Sequence, residues 1–429
     1  MIESEENMDY TQSLDYIHSI SWTFCKPGLE RIGRLCELLG HPERSLKFVH
    51  VAGTNGKGSF CSMMSSILTK SGYKTGLYTS PYIRFFNERM CIDGEPISND
   101  ELAEITTYVR PLADSMEDTP TEFELITAVA LEYFKRNGCD VVVLEAGMGG
   151  RLDSTNIIRE PLLSVITGIA LDHTAFLGDT VEQIAAEKAG IIKDHRPVLF
   201  GGDDKGAADV IERRAKENGS EYFSVDYSAL CVKAATLDGT EFSFGKWENM
   251  RLGLLALYQP KNACVVLSAV DILRKYGFEI DENAVREGIA VARWQARFEI
   301  IDRTPLTIFD GAHNPQGIDS AVDSVKHYFE NDRVYILTGV LRDKDYTYIA
   351  SRLSEIASKA FVMSPDSPRA LPSEEYADVL SSFGVQATPY TSLKEAYEGA
   401  AEAAKRDGVP LICLGSLYTY SELMEVMGK

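Results

Sequence analysis

Hydrophobic and polar positions follow two alternating rhythms along this chain. Short, largely apolar runs with β-branched residues occur at residues 48–51, 140–145, where the run ends in an acid, 162–168 and 196–200, and another at 74–80 passes into a polar loop. Residues 59–68 and 122–136 instead carry their apolar side chains at helical spacing. Buried strands that alternate with amphipathic helices predict an α/β fold with a mostly parallel sheet covered on both faces. Residues 220–250 are less regular, with short β-like pieces, and a helix is predicted over 260–276. The helical pattern stops at residues 293–297, which predicts a domain boundary near Phe298. The alternation then restarts, with strands predicted at 306–310, 334–338, 360–363 and 410–414 and a helix starting at Pro315. The expected organisation is an N-terminal domain over 1–297 and a smaller Rossmann-like domain over 298–429. The second domain has no G-x-G-x-x-G, so dinucleotide binding is not implied.

Charge narrows the partners. Against 64 Asp and Glu the 429 residues hold 43 Lys and Arg, a net charge of −21. That argues against nucleic-acid or membrane surfaces, and requires a local basic pocket for any anionic small-molecule substrate. The eight cysteines, at 25, 36, 61, 91, 139, 231, 264 and 413, are scattered without a C-x-x-C pair. They read as buried free thiols in a reducing cytoplasm. The acidic residues 1–6 lack the apolar segment of a signal peptide, and no apolar run approaches the ~20 residues that span a bilayer.

The sharpest local signal is V-H-V-A-G-T-N-G-K-G-S at 49–59, between a predicted strand and a predicted helix. It predicts a P-loop mononucleotide-binding domain. Gly53, Gly56 and Gly58 let the backbone of Thr54 and Asn55 curl around phosphate. The helix after them would aim its free N–H groups at the ligand. Lys57 would supply a point charge for the β- and γ-phosphates and the Ser59 hydroxyl would hold Mg²⁺. An extra glycine separates Lys57 from Ser59, unlike the common G-x-x-x-x-G-K-[ST]. Ser80, Glu145 and His173 all fall at or just after predicted strand ends, where open parallel sheets bind ligands.

Four segments together resemble one family: V-A-G-T-N-G-K-G-S at 51–59, E-A-G-M-G-G-R-L-D-S-T-N at 145–156, L-D-H-T at 171–174 with E-K-A-G-I at 187–191, and D-G-A-H-N-P at 310–315. In this order they are similar to folylpolyglutamate synthase, often bifunctional with dihydrofolate synthase, within the Mur ligase superfamily. The resemblance runs from about Leu14 to Leu423. It implies an ATP-dependent ligase in which a folate carboxylate becomes an acyl phosphate and the amine of L-glutamate then displaces phosphate. It also implies a monomer, two Mg²⁺ ions and K⁺ as a monovalent activator.

Residue by residue, the resemblance makes Ser59, Glu145, His173 and a carbamylated Lys188 the Mg²⁺ ligands. Taken alone, Glu145 reads as a capping acid, His173 as a satisfied loop histidine and Lys188 as a solvated helix lysine. Gln259 and Asn262 match an adenine-side H-Q-x-x-N segment in which Tyr258 stands for His. Arg297 matches an arginine that would reach ATP phosphates across the domain cleft, Asp310 falls on the ribose or phosphate side, and His313 near phosphate and the incoming glutamate. The plain readings are a hinge ion pair for Arg297 and a helix start at Asn314 and Pro315. Ser416 matches a glutamate-binding position and reads equally as a helix cap. Ser80, Tyr82, Phe85, Phe86, Glu88 and Arg89 match the loop beside the folate pocket, which the segment from Thr121 to Glu124 also faces. Arg151, Asp153 and Asn156 are substrate candidates or an ordinary polar loop in equal measure. Tyr82 stands where members acting on dihydropteroate commonly have His, which leaves one activity or two open. Two other readings remain: a Mur-type ligase on another carboxylate acceptor, for which only about fifty residues precede the loop, and a P-loop regulatory protein.

Overall fold

The computed structural model describes residues 7–20, 28–330 and 333–429, so residues 1–6 and Cys25 lie outside the described residues. The chain groups into two units, Met1–Ala229 with Lys261–Val291 and Leu230–Pro260 with Ala292–Lys429.

In the first unit eight strands form one sheet. They are β1 (Phe48–Ala52), β2 (Thr75–Tyr78), β3 (Met90–Ile92), β4 (Glu95–Pro96), β5 (Val141–Glu145), β6 (Leu163–Ile166), β7 (Val198–Phe200) and β8 (Tyr222–Ser224), in the order β4-β3-β2-β5-β1-β6-β7-β8. The pairs from β2 to β8 are parallel, and β3 and β4 add an antiparallel edge. β1 and β5 are buried at every position, which is why both read as apolar runs, broken only by His50 in β1 and by Glu145 at the end of β5. On one face Phe48, Val142 and Leu144 pack against Leu125, Val129 and Phe134 of helix Glu122–Arg136; on the other, Ile166 and Phe200 pack against Ile184 and Ile211. Helix Glu122–Arg136 starts at a capping box: Thr121 Oγ1 accepts from Glu124 N at 3.3 Å, and a Glu124 oxygen accepts from Thr121 N at 2.7 Å. Parallel strands leave β1 on both sides, so a crevice opens beyond its C-terminal end.

The second unit holds a three-stranded antiparallel sheet, β9 (Leu230–Thr236), β10 (Gly239–Phe244) and β11 (Trp247–Leu252). It also holds a six-stranded sheet of β12 (Glu299–Arg303), β13 (Leu306–Asp310), β14 (Val334–Thr338), β15 (Ala357–Val362), β16 (Gln386–Pro389) and β17 (Leu411–Leu414), in the order β12-β13-β17-β14-β15-β16. Only β12 runs antiparallel to its neighbour. The single cut expected at 297/298 differs from this grouping. Residues 230–260 and 292–297 lie with the second unit, because Ala256, Tyr258 and Phe298 pack on Ile308 and Val322. The described cysteines are unbonded and six are buried, but Cys231 on β9 is exposed, contrary to the buried reading. No helix among the described residues is long and apolar enough to cross a membrane.

Candidate functional site

β1 runs directly into the glycine-rich loop. The helix after it spans Lys57–Lys70, two residues longer at its start than the apolar spacing predicts, because Gly56 at φ +88° supplies the left-handed N-cap. Lys57 and Gly58 thereby join a first turn whose N–H groups lack helical partners. Gly53 sits hard against Thr167. A Cβ there would lie 1.8 Å from Thr167 Oγ1, a hydroxyl that donates to Asn55 O at 2.8 Å. Thr54 is tied to the same stretch: its N–H donates to Gly168 O at 2.8 Å and its hydroxyl to Ala170 O at 3.1 Å. Asn262 faces the loop from helix Gln259–Lys275, where a Cβ on Gly56 would meet its Oδ1 at 2.7 Å. Gly53→Ala is expected to weaken nucleotide binding roughly tenfold through strain of about 1–3 kcal/mol. The check is the nucleotide-dependent rise in Tm; an unchanged rise would mean that Thr167 gives way at no cost to the loop.

Two lysines and one acid converge on this loop. Lys57 Nζ donates to Gly53 O at 3.1 Å and Thr54 O at 3.3 Å, and lies 4.0 Å from Glu145 Oε1. Glu145 ends β5 level with Val51 of β1, is buried, and accepts from Ser80 N at 3.2 Å through Oε2. Lys188 closes helix Val181–Lys188 and is only 4% exposed, not the solvated side chain that its helix suggests. Its Nζ donates to the same Gly53 carbonyl at 2.8 Å. Burial, then the Lys57 charge, lowers its pKa to about 7, with Asp172 and Asp153 opposing. His173 has φ +48° at the N-cap of the one-turn helix Thr174–Leu177, exposed, with Nε2 3.9 Å from Asp172 Oδ2. Gly53, Lys57, Gly149, Asp172, His173 and Lys188 line one cleft. Ser59 is buried in the first helical turn. Among the described residues no three His, Cys, Asp or Glu side chains gather as a ready-made metal centre. A hard cation here would complete its shell with phosphate oxygens, a donor set of hydroxyl, carboxylate and phosphate that suits Mg²⁺.

The loop after Glu145 is braced from within. Arg151 puts Nε and Nη2 on Glu187 Oε1 at 3.1 and 2.9 Å, so its fork holds the residue beside Lys188. Asp153 is buried and holds its own loop: Oδ1 accepts from Thr155 N at 3.0 Å and Thr155 Oγ1 at 2.5 Å, and Oδ2 from Met148 N at 2.9 Å. Asn156 Nδ2 donates to Arg151 O at 3.0 Å and Gly190 O at 3.1 Å. In the segment from Ser80 to Arg89, Glu88 accepts from Ile83 N and Arg84 N, both at 3.0 Å. The Arg89 guanidinium lies 5.0 Å from the Tyr82 ring and 5.7 Å from the Phe86 ring, and its buried Nε and Nη1 have no hydrogen-bond partner among the described residues. Phe86 is buried in the core, whereas Phe85 is 56% exposed.

The second unit assembles its own cluster. Asp310, at the end of β13 and level with Leu414 of β17, accepts from Ala312 N at 2.8 Å and from the Tyr258 hydroxyl at 3.2 Å. Burial raises its pKa against the nearby Arg297 charge. His313 Nδ1 lies 2.8 Å from Gly311 O; a carbonyl only accepts, so Nδ1 carries a proton. Arg297 Nη1 donates to Ala296 O at 3.2 Å. Ser416 is buried and accepts from Tyr418 N at 3.3 Å, and Gln259 is fully buried. Asn314 caps helix Pro315–Tyr328 by accepting from Gly317 N at 2.8 Å. Sequence reasoning missed Thr167 beneath Gly53, Glu187 against Arg151 and the Tyr258 bond to Asp310. The one visible signal was a threonine, Thr167, directly after strand β6.

Residues 51–270 match the Mur ligase middle domain and residues 296–417 the Mur ligase glutamate ligase domain. A dihydrofolate synthase/folylpolyglutamate synthase of Bacillus subtilis is 36% identical over 427 residues, covering 96% of this chain and 98% of that protein. A folylpolyglutamate synthase of Lacticaseibacillus casei is 35% identical over 434 residues, with 98% and 99% covered. The solved structure of E. coli FolC in complex with DHPP and ADP matches with a TM-score of 0.86 at 31% identity, over 98% of each chain.

Proposed function

We propose, from the premise that this chain belongs to the Mur ligase family among its folylpolyglutamate and dihydrofolate synthases, that the cleft beyond β1 uses ATP to join L-glutamate to the γ-carboxyl of a reduced folate. The chain is an ATP-dependent glutamate ligase. The observation that carries the site assignment is the convergence of Lys57, Lys188 and Glu145 on the Gly53–Ser59 loop.

A folate carboxylate oxygen attacks the γ-phosphorus and ADP leaves, giving an acyl phosphate. The glutamate amine then attacks the acyl carbon, the C–O bond to phosphate breaks, the nitrogen loses a proton and an amide remains. The protein's part is to position these groups and neutralise charge. Loop N–H groups and Lys57 would hold the β- and γ-phosphates. Ser59, Glu145, His173 and Lys188 would hold Mg²⁺, Lys188 after its neutral amine adds CO₂ to form a carbamate and releases a proton. Bound Mg²⁺ would offset phosphate charge. K⁺ enters this proposal through the family resemblance alone. In the second unit Arg297, Asp310, His313 and Ser416 keep the nucleotide and glutamate roles given by that resemblance. Tyr82 and Phe85, with the Arg89 guanidinium over the Tyr82 ring, suit the stacking of a flat ring. The enzyme would act as a cytoplasmic monomer.

The test is phosphate release with ATP, Mg²⁺ and L-glutamate, with tetrahydrofolate or dihydropteroate as acceptor. Release with tetrahydrofolate alone is expected of a dedicated folylpolyglutamate synthase and would give Tyr82 a specificity role. Release with both acceptors would make the enzyme bifunctional. Release with neither, while nucleotide still binds, would overturn the folate reading in favour of another carboxylate acceptor.

A further inference from the structure

His50 stands in the middle of β1, wholly buried, a polar residue in an otherwise apolar strand. Its Nε2 lies 2.9 Å from Thr155 Oγ1. The Thr155 hydroxyl has one proton and directs it to Asp153 Oδ1 at 2.5 Å. It can therefore only accept from His50, so Nε2 carries the imidazole proton and Nδ1 is bare. Among the described residues Nδ1 has no hydrogen-bond partner, as suits a lone pair turned into apolar packing. Burial, with the Lys193 charge, keeps the ring neutral down to about pH 3, so His50 is a fixed donor throughout the working range.

The donor has a destination. Asp153 passes the restraint to Met148 N at 2.9 Å, in the Gly147–Gly149 turn that follows Glu145 and lines the cleft with Lys57 and Lys188. Gly147 makes that approach possible: a Cβ there would lie 2.6 Å from the Phe123 ring and 3.3 Å from Asp153 Oδ2. A valine at position 50 would leave the Thr155 hydroxyl without its donor.

We propose that His50 is a positioning residue for the ligase reaction, acting through Thr155 and Asp153 to fix the Gly147–Gly149 backbone at the cleft. The proposal rests on reading that cleft as the ATP site. The experiment compares the full-length enzyme with His50→Leu, His50→Gln, Thr155→Val and the Leu/Val double variant, each assayed well below its own Tm for phosphate release and for ADP affinity. His50→Leu and Thr155→Val should each lower kcat about 10–100-fold with the folate KM nearly unchanged, in the range of groups that orient a site from behind. The double variant should fall no further than either single one, because both cut one chain. His50→Gln, whose amide can donate to Thr155, should recover most of the rate. Unchanged kcat in the single variants, or losses that multiply in the double variant, would overturn the proposal. If His50→Leu does not fold, Thr155→Val, nearly isosteric, decides alone. Should the wild type release no phosphate with any acceptor, the ligase reading fails by itself; ADP affinity then reads His50, with about tenfold weakening expected in both single variants and unchanged affinity overturning the idea.

Discussion

Lys188→Ala is expected to lower turnover about 10²–10³-fold, the scale seen when one group that stabilises developing charge is removed, and millimolar acetate or propionate should restore part of it. The reason is where Lys188 sits. Its amine is buried, bonded to the Gly53 carbonyl, and brought to a pKa of about 7 by burial and by the Lys57 charge. CO₂ adds only to a neutral amine. At pH 8 most of a group with this pKa is neutral and at pH 6 most is protonated, whereas an ordinary lysine is protonated at both. Enzyme stripped of CO₂ should therefore regain activity with bicarbonate more fully at pH 8 than at pH 6. Added carboxylate would occupy the space left in the alanine variant and replace the lost anion. Undiminished activity in Lys188→Ala would remove the residue from the mechanism; a loss without rescue would reduce it to a brace for Gly53.

Glu145→Gln should cost about 10²-fold in kcat/KM for ATP and move half-maximal activation to higher Mg²⁺. Glutamine keeps the shape, and its oxygen can still accept from Ser80 N, so a fall in Tm would report only the lost pairing with Lys57. What disappears is one buried negative charge 4.0 Å from Lys57, at the end of β5 and beside the phosphate loop. A buried carboxylate in that place repels phosphate unless a cation lies between them, so its removal should be felt as a change in metal requirement. Phosphate release titrated with Mg²⁺, with Tm measured alongside, separates these effects. A wild-type Mg²⁺ profile in the variant would exclude Glu145 as a ligand.

Much of the architecture was legible because parallel strands covered on both faces are mostly apolar along their whole length. Residues 140–145 and 162–168 announced β5 and β6 for that reason. The phosphate loop was legible because lysine, serine and glycines have few other reasons to share one strand-to-helix turn. The burial of Lys188 was not: the resemblance named the residue, but its amine meets Gly53, 135 residues earlier, and nothing in the local helical pattern carries that information. Asp153 shows the same limit in another form. A carboxylate after a glycine pair looks the same whether it binds a substrate or holds its own loop, and only the bonds to Thr155 and Met148 tell the two apart. The segment from 230 to 260 alternates weakly because most of β9 faces solvent. Its allegiance to the second unit is set by Ala256 and Tyr258, two residues that no periodicity marks.

The Gly53 carbonyl that both lysines share bears on nucleotide exchange. When Lys57 turns from this oxygen toward an arriving phosphate, Lys188, as amine or as carbamate, still has an N–H for it. The Gly53 carbonyl is then not stripped of its last donor when the lysine of the phosphate loop leaves it. A buried carbonyl with two donors can lend one of them to a ligand at less cost than a carbonyl with one.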